Sequence, residues 1–165
     1  FYAKRRLVPF GEYVPMRDVV MTVLPILAEI NMLSNDLAPG SDSELMDVNI
    51  DGETFKAGGI ICFDSIYESI SHDAAYDGAD ILCISTNDSW FFDSKALDMH
   101  FSQGRLRAIE TGLPVICAAN TGISAIITKN DFSRLIICSS IVILIPSISY
   151  FYVLIFTVIS ASRRL

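Results

Sequence analysis

Cys62 carries the thiol best placed to act as a nucleophile. It closes the run Gly58-Gly59-Ile60-Ile61-Cys62-Phe63, glycines followed by a short apolar stretch that predicts a buried strand. Ser65-Ile66-Tyr67-Glu68 directly after it has the capping-box pattern that opens a helix. A thiol on such a strand-to-helix turn stands at the rim of a sheet. There a helix N-terminus favours the thiolate, the form that attacks a carbonyl carbon. The plainer use of a Cys at the end of an apolar strand is packing. Position alone favours packing, and the rest of the chain turns the reading toward the nucleophile. Cys83, Cys117 and Cys138 lie in apolar runs, and no two cysteines form a Cys-x-x-Cys pair. His72 and His100 add no metal-ligand spacing, so neither a disulfide framework nor a metal or other cofactor is expected.

The elements that must position Cys62 follow from punctuation and period. Leu7-Val8-Pro9-Phe10-Gly11-Glu12-Tyr13-Val14-Pro15 is a Pro/Gly-rich loop. Residues 17–30 have near-helical apolar spacing, which Pro25 would kink or shorten. Asp51-Gly52 between two short alternating runs predicts a hairpin. A helix after Cys62 should stop at Gly78. Residues 81–85 form a continuous apolar run, as expected for a strand covered on both faces. Asn87-Asp88-Ser89-Trp90-Phe91-Phe92-Asp93 is a loop with an unusual aromatic load. A helix is expected over 95–110, with Leu97, Phe101, Gly104 and Ala108 on one stripe and Gly112 and Pro114 ending it. Strands over 115–118 and 123–128 complete an alternating α/β pattern.

The chain has 165 residues, room for about one domain. Its net charge of −7 argues against nucleic-acid binding, which needs a concentrated basic surface, and the one basic cluster is Lys4-Arg5-Arg6. The mean hydropathy of +0.45 is high because residues 135–161 contain no charge. A bilayer is spanned by about 20 apolar residues, so this run predicts a transmembrane helix, with Pro146 tolerated inside it. Arg163 and Arg164 follow at once, which places that end in the cytoplasm and the globular part outside it. The alternative is a buried helical hairpin broken at Pro146. The expected division is therefore a globular part over residues 1–133 and a span with a short basic tail over 134–165. The sequence opens at Phe1, directly in Tyr2-Ala3-Lys4, and reads as the C-terminal piece of a longer protein.

Four segments together carry a resemblance. They are the stretch from Tyr2 through Leu7-Val8-Pro9-Phe10-Gly11-Glu12-Tyr13-Val14-Pro15, then Ile61-Cys62-Phe63-Asp64, then Asn87-Asp88-Ser89-Trp90-Phe91, and finally Arg105-Leu106-Arg107-Ala108-Ile109-Glu110-Thr111-Gly112 with Ala118-Ala119-Asn120-Thr121-Gly122-Ile123-Ser124-Ala125. In order and spacing, over roughly residues 1 to 128, they resemble the apolipoprotein N-acyltransferases. Those are membrane members of the carbon–nitrogen hydrolase, or nitrilase, superfamily. The resemblance implies a partial nitrilase-like α-β-β-α sandwich of the α/β class, followed by one transmembrane helix.

It also implies roles. Cys62 is the nucleophile that takes an acyl group as a thioester. Lys4 steadies the oxyanion and favours the thiolate. Glu12 is a supporting carboxylate that orients Lys4, and the general-base glutamate falls before residue 1. The donor implied is a phospholipid, and the acceptor is the N-terminal amine of a diacylglyceryl-cysteine apolipoprotein. The setting is the cell membrane, with the globular part on the extracytoplasmic side. Trp90, Phe91 and Phe92 could line an acyl-chain entrance, or pack. Asp64 could help shape the substrate site, or cap a helix. Arg105 and Arg107 could meet a lipid phosphate, or form structural pairs such as Arg107 with Glu110.

Four positions depart from the family pattern. Phe63 replaces a tyrosine and Asp64 a glutamate, Phe92 stands where glycine is usual, and Cys117 stands where arginine is usual. The piece alone is expected to be inactive. Rival readings are a nitrilase-type amidase acting on a small amide, and a decayed, membrane-anchored remnant without activity.

Overall fold

A computed structural model of the chain describes residues 2–23, 36–128 and 135–138. In chain order the elements are α1 (Arg17–Val23), β1 (Leu45–Ile50), β2 (Glu53–Ile61), a 3₁₀ turn (Cys62–Ile66), α2 (Glu68–Tyr76), β3 (Ile81–Thr86), a short 3₁₀ turn (Ser89–Phe91), α3 (Ala96–Thr111), β4 (Val115–Ala119), β5 (Ile123–Ile127) and β6 (Leu135–Cys138). The six strands form one sheet in sequence order. β2, β3 and β4 run parallel, while the β1–β2, β4–β5 and β5–β6 pairs are antiparallel.

The hairpin forms where Asp51-Gly52 predicts it. Asp51 (φ 52°) and Gly52 (φ 83°) both take left-handed backbone, and Ile50 pairs with Glu53. A two-residue turn of this kind matches the twist of the strands it joins. Its second strand does not stop before Gly58. β2 runs unbroken from Glu53 to Ile61, so the hairpin and the strand leading to Cys62 are one element. Antiparallel pairing with β1 gives way to parallel pairing with β3 on its other edge.

The two βαβ crossovers place α2 and α3 against one face of the sheet. Ile70 and Ala74 of α2 and Ala108 of α3 share a core with Ile60, Leu82, Ile84, Val115 and Ile127. Alternate residues face the other way, where Ala57, Ile81, Cys83, Ile116 and Ile126 make a second cluster. Residues 81–84 of the continuous apolar run are thus buried on both faces, while Ser85 is exposed. Gly58 lets α2 approach, since a Cβ there would stand 2.8 Å from Ala74 Cβ. Gly59 admits the Tyr2 ring, which a Cβ would meet at 2.9 Å. On α3 the predicted stripe holds: Gly104 and Ala108 are buried, Phe101 packs against the core, and Gly112 ends the helix at φ 70°.

Two expectations are corrected. Ser65 does not cap a helix. The chain after Cys62 first makes the 3₁₀ turn, and α2 begins at Glu68 behind an extended Tyr67 with no side-chain cap. Leu135–Cys138, the first residues of the uncharged run, form β6 against β5, because an apolar run satisfies a sheet edge as readily as a helix. The remainder of that run, with the span and the hairpin alternative, lies outside the described residues. So does the stretch around Pro25. Among the described residues no helix is long and apolar enough to cross a membrane.

Candidate active site

The three parallel strands end on the same edge of the sheet. Cys62 follows β2, Asp88 follows β3, and Asn120-Thr121-Gly122 follows β4. Sites on open α/β sheets gather outside these carboxyl ends. Cys62 is partly exposed and takes left-handed backbone at φ 49°. For a residue with a Cβ this conformation is held only by its surroundings.

Asp64, two residues on, anchors the turn. It is 0% exposed. Its carboxylate accepts the backbone N–H of Arg6 at 2.7 Å, that of Arg5 at 3.2 Å, the Tyr2 hydroxyl at 2.9 Å and the N–H of Ile61 at 3.3 Å. The segment carrying Lys4 is thereby tied to the turn carrying Cys62. Burial, then the charge and hydrogen bond of Asp64, push the Tyr2 hydroxyl well above its ordinary pKa, so it stays a donor. With its oxygens committed to these donors, Asp64 faces the protein. Its bond from the Ile61 N–H makes it the cap of the 3₁₀ turn, the structural one of its two expected uses.

Lys4 Nζ donates to both oxygens of Glu12 at 2.7 Å. The lysine side chain is 10% exposed and the glutamate 25%. Glu12 reaches back because the loop folds on itself: its N–H and that of Gly11 both bond the Val8 carbonyl, and the Val8 N–H donates to Glu12 Oε2 at 2.8 Å. Such an orienting carboxylate fixes where the ammonium points.

Sequence reasoning missed the group that bonds the Cys62 carbonyl. His100, on α3, bonds Asp88 Oδ1 through Nδ1 at 2.8 Å. Its Nε2 lies 2.9 Å from Ser65 Oγ and 3.2 Å from the Cys62 carbonyl oxygen. Thr86 Oγ1 also donates to Asp88 Oδ1 at 2.7 Å. Burial opposes charge on the imidazole. The bond and charge of Asp88, with the Cys62 carbonyl, outweigh it and hold the His100 pKa above its ordinary value, although the Lys4 charge works the other way. The ring thus touches the backbone of Cys62 and feels the charge of Lys4. The presence of Asp88 in an aromatic-rich motif was a usable signal. His100 offered none, since its partners are scattered along the chain.

Trp90 (56% exposed) and Phe91 (38%) sit on the turn after β3, and the Phe91 ring meets His100 edge-on at 6.0 Å between centroids. Phe92 is 86% exposed, with φ 48° and ψ −144°. Arg107 is buried and donates to the Ser65 and Ile66 carbonyls at 3.2 Å and to Glu110 at 2.9 Å, so it takes the structural pairing. Cys83 and Cys117 differ from Cys62. Both are buried, and desolvation, joined at Cys117 by the Asp88 charge, pushes each thiol up to about 12. Such thiols stay protonated and inert.

The chain belongs to the carbon–nitrogen hydrolase family, which matches residues 1–144. A protein of Geobacter metallireducens named apolipoprotein N-acyltransferase is 37% identical over 131 residues, covering 79% of this chain and 24% of that one. One of the same name from Sinorhizobium fredii is 42% identical over 124 residues, covering 75% of this chain and 22% of that one. The chain thus spans about a quarter of the length of these curated relatives. Among solved structures, a carbon–nitrogen hydrolase from Helicobacter pylori superposes with a TM-score of 0.54 at 17% identity, covering 62% of this chain and 42% of that one. That likeness places the fold.

Proposed function

We propose that this chain is the nucleophile-bearing part of an N-acyltransferase that moves an acyl chain from a phospholipid to the N-terminal amine of a diacylglyceryl-cysteine apolipoprotein. The observation that carries the reading is the Asp64 clamp. It ties the backbone of Arg5 and Arg6, next to the Glu12-bound Lys4, to the turn that opens at the left-handed, partly exposed Cys62. The names of the relatives, at 37% and 42% identity, support the acyl-transfer chemistry.

In this reading the Cys62 thiolate attacks the ester carbonyl of the lipid. The Lys4 ammonium stabilises the oxyanion, and the lysolipid leaves as the alcohol, taking up the proton released when the Cys62 thiol ionised. The acceptor amine then attacks the thioester, forming the amide and returning the thiolate. Glu12 orients Lys4, and Asp64 positions rather than binds. Trp90 and Phe91, exposed beside the site, line the way in for the acyl chain. The globular part extends through β6 to Cys138, and the uncharged residues 139–161 are long enough to anchor it in the cell membrane, with the globular part on the extracytoplasmic side.

The test offers the native product, in membranes, a phospholipid carrying a labelled acyl chain together with a diacylglyceryl-cysteine peptide. Simple amides are supplied in a parallel reaction. Label on the peptide amine, lost in Cys62→Ala, is the expected result. Ammonia release from the amides with no transfer from lipid would replace this reading with a nitrilase-type amidase.

A further inference from the structure

His100 belongs to no role assigned above, yet it is the side chain that touches the nucleophile's own backbone. Its Nε2 lies 3.2 Å from the Cys62 carbonyl oxygen, and Nδ1 is fixed by Asp88 at 2.8 Å. Asp88 is itself 3% exposed, held by Thr86 Oγ1 and backed by Gly122, where a Cβ would stand 2.7 Å from Asp88 Oδ2. The ring therefore cannot turn without breaking bonds at both nitrogens. Cys62 meanwhile holds a left-handed backbone, φ 49°, that its Cβ disfavours.

We propose that the Asp88–His100 pair is a positioning device for Cys62, clamping the carbonyl of the nucleophile so that its strained backbone keeps the thiol aimed into the site. The inference rests on the reading of Cys62 as nucleophile. Its chemistry turns on which ring nitrogens carry protons. Facing a carboxylate that accepts, Nδ1 carries one. In the neutral ring Nε2 can only accept, from the Ser65 hydroxyl at 2.9 Å, and its lone pair then faces the lone pairs of the Cys62 carbonyl. In the charged ring Nε2 donates to that carbonyl, and the clamp closes. The groups facing the ring are Asp88 from the loop after β3, Cys62 and Ser65 from the 3₁₀ turn, Lys4 from the N-terminal segment, and the edge of Phe91. Asp88 favours the charged ring and Lys4 opposes it. The clamp should hold below about pH 6.5, the ordinary imidazole value, and release as pH rises through the raised one, while an added positive charge near the thiol favours its thiolate.

The test is the rate of Cys62 alkylation by iodoacetamide in the full chain, followed by peptide mass mapping from about pH 5 to pH 9, the range in which imidazoles and thiols titrate. His100→Leu removes both nitrogens, while His100→Gln keeps an amide donor near the position of Nε2 that does not titrate. Wild type should show two ionisations, those of the thiol and of His100. His100→Leu should slow alkylation about tenfold below about pH 6.5, where the ring is charged, the worth of one charge-assisted bond. His100→Gln should recover to within about threefold of wild type, since a neutral donor is roughly half as strong, and should show the thiol ionisation alone. Wild-type rates in His100→Leu, or a Gln variant no faster than Leu, would overturn the proposal. Should the Leu variant not fold, identical two-step profiles in wild type and His100→Gln would overturn it equally. A Cys62 no more reactive than Cys83 in wild type would instead remove the nucleophile reading on which the proposal stands.

Discussion

The carboxylate of Asp64 accepts the backbone N–H of Arg6 at 2.7 Å across 58 positions of sequence. No local rule demands this bond, and it links the segment carrying Lys4 to the turn carrying Cys62. Asp64 lies two residues after Cys62 and Arg6 two residues after Lys4. One buried side chain therefore joins the backbones of the two segments. Asp64→Asn keeps the shape but turns one acceptor into a donor that faces other donors. A loss of about 2–4 kcal/mol in urea unfolding is expected from leaving buried donors unmatched. A change below about 0.5 kcal/mol, the usual scatter of surface substitutions, would mean that the clamp contributes nothing.

Phe92 holds φ 48° and ψ −144°, backbone that glycine adopts freely and other residues avoid. The ring is 86% exposed, so little packing would be lost with it. Phe92→Gly should raise stability by about 1 kcal/mol, the relief of backbone strain less the entropy glycine adds to the unfolded chain. A lowered urea midpoint would show instead that the ring makes contacts worth more than the strain.

Gly58 carries the packing of α2 on β2. Gly58→Ala would drive a Cβ to 2.8 Å from Ala74 Cβ, a rigid neighbour. Overpacking of this kind costs about 1–3 kcal/mol, measurable by thermal unfolding. Gly52→Ala, on the open hairpin turn with no atom within 4 Å, serves as a control for backbone strain without a clash.

His100 makes stability depend on pH in a stated direction. Its folded pKa is raised above the unfolded value, so the folded state binds the proton more tightly. The resulting stabilisation is fully present below the unfolded pKa, about 6.5, and is lost as pH rises through the folded pKa. Unfolding free energies of wild type minus His100→Gln should therefore fall across that window. In an Asp88→Asn background, where the main cause of the raised pKa is gone, the slope should shrink. A difference that grew with pH would contradict the assignment.

Where the chain is written in apolar runs between glycine and proline, its fold was legible. The hairpin at Asp51-Gly52, the doubly buried β3 and the stop of α3 at Gly112 all follow from local chemistry. The catalytic candidates Cys62, Lys4 and Glu12 were legible through the resemblance, because their segments keep order and spacing. Ser65 misled because its local pattern fits a helix cap, while a more distant partner, His100, takes its hydroxyl. His100 itself was invisible, since its contacts lie 12, 35 and 38 positions away. Leu135–Cys138 shows the same limit, since period alone cannot tell a short buried strand from the start of an apolar helix.

The most direct measurement is the covalent state of Cys62. The native product is incubated with phospholipid, without acceptor, quenched in acid and digested, and the peptide containing Cys62 is weighed. An added acyl mass on that peptide, removed by neutral hydroxylamine and absent from Lys4→Met, is the predicted result. Lipid turnover with an unmodified Cys62, or an acyl group carried by another residue, would contradict the account.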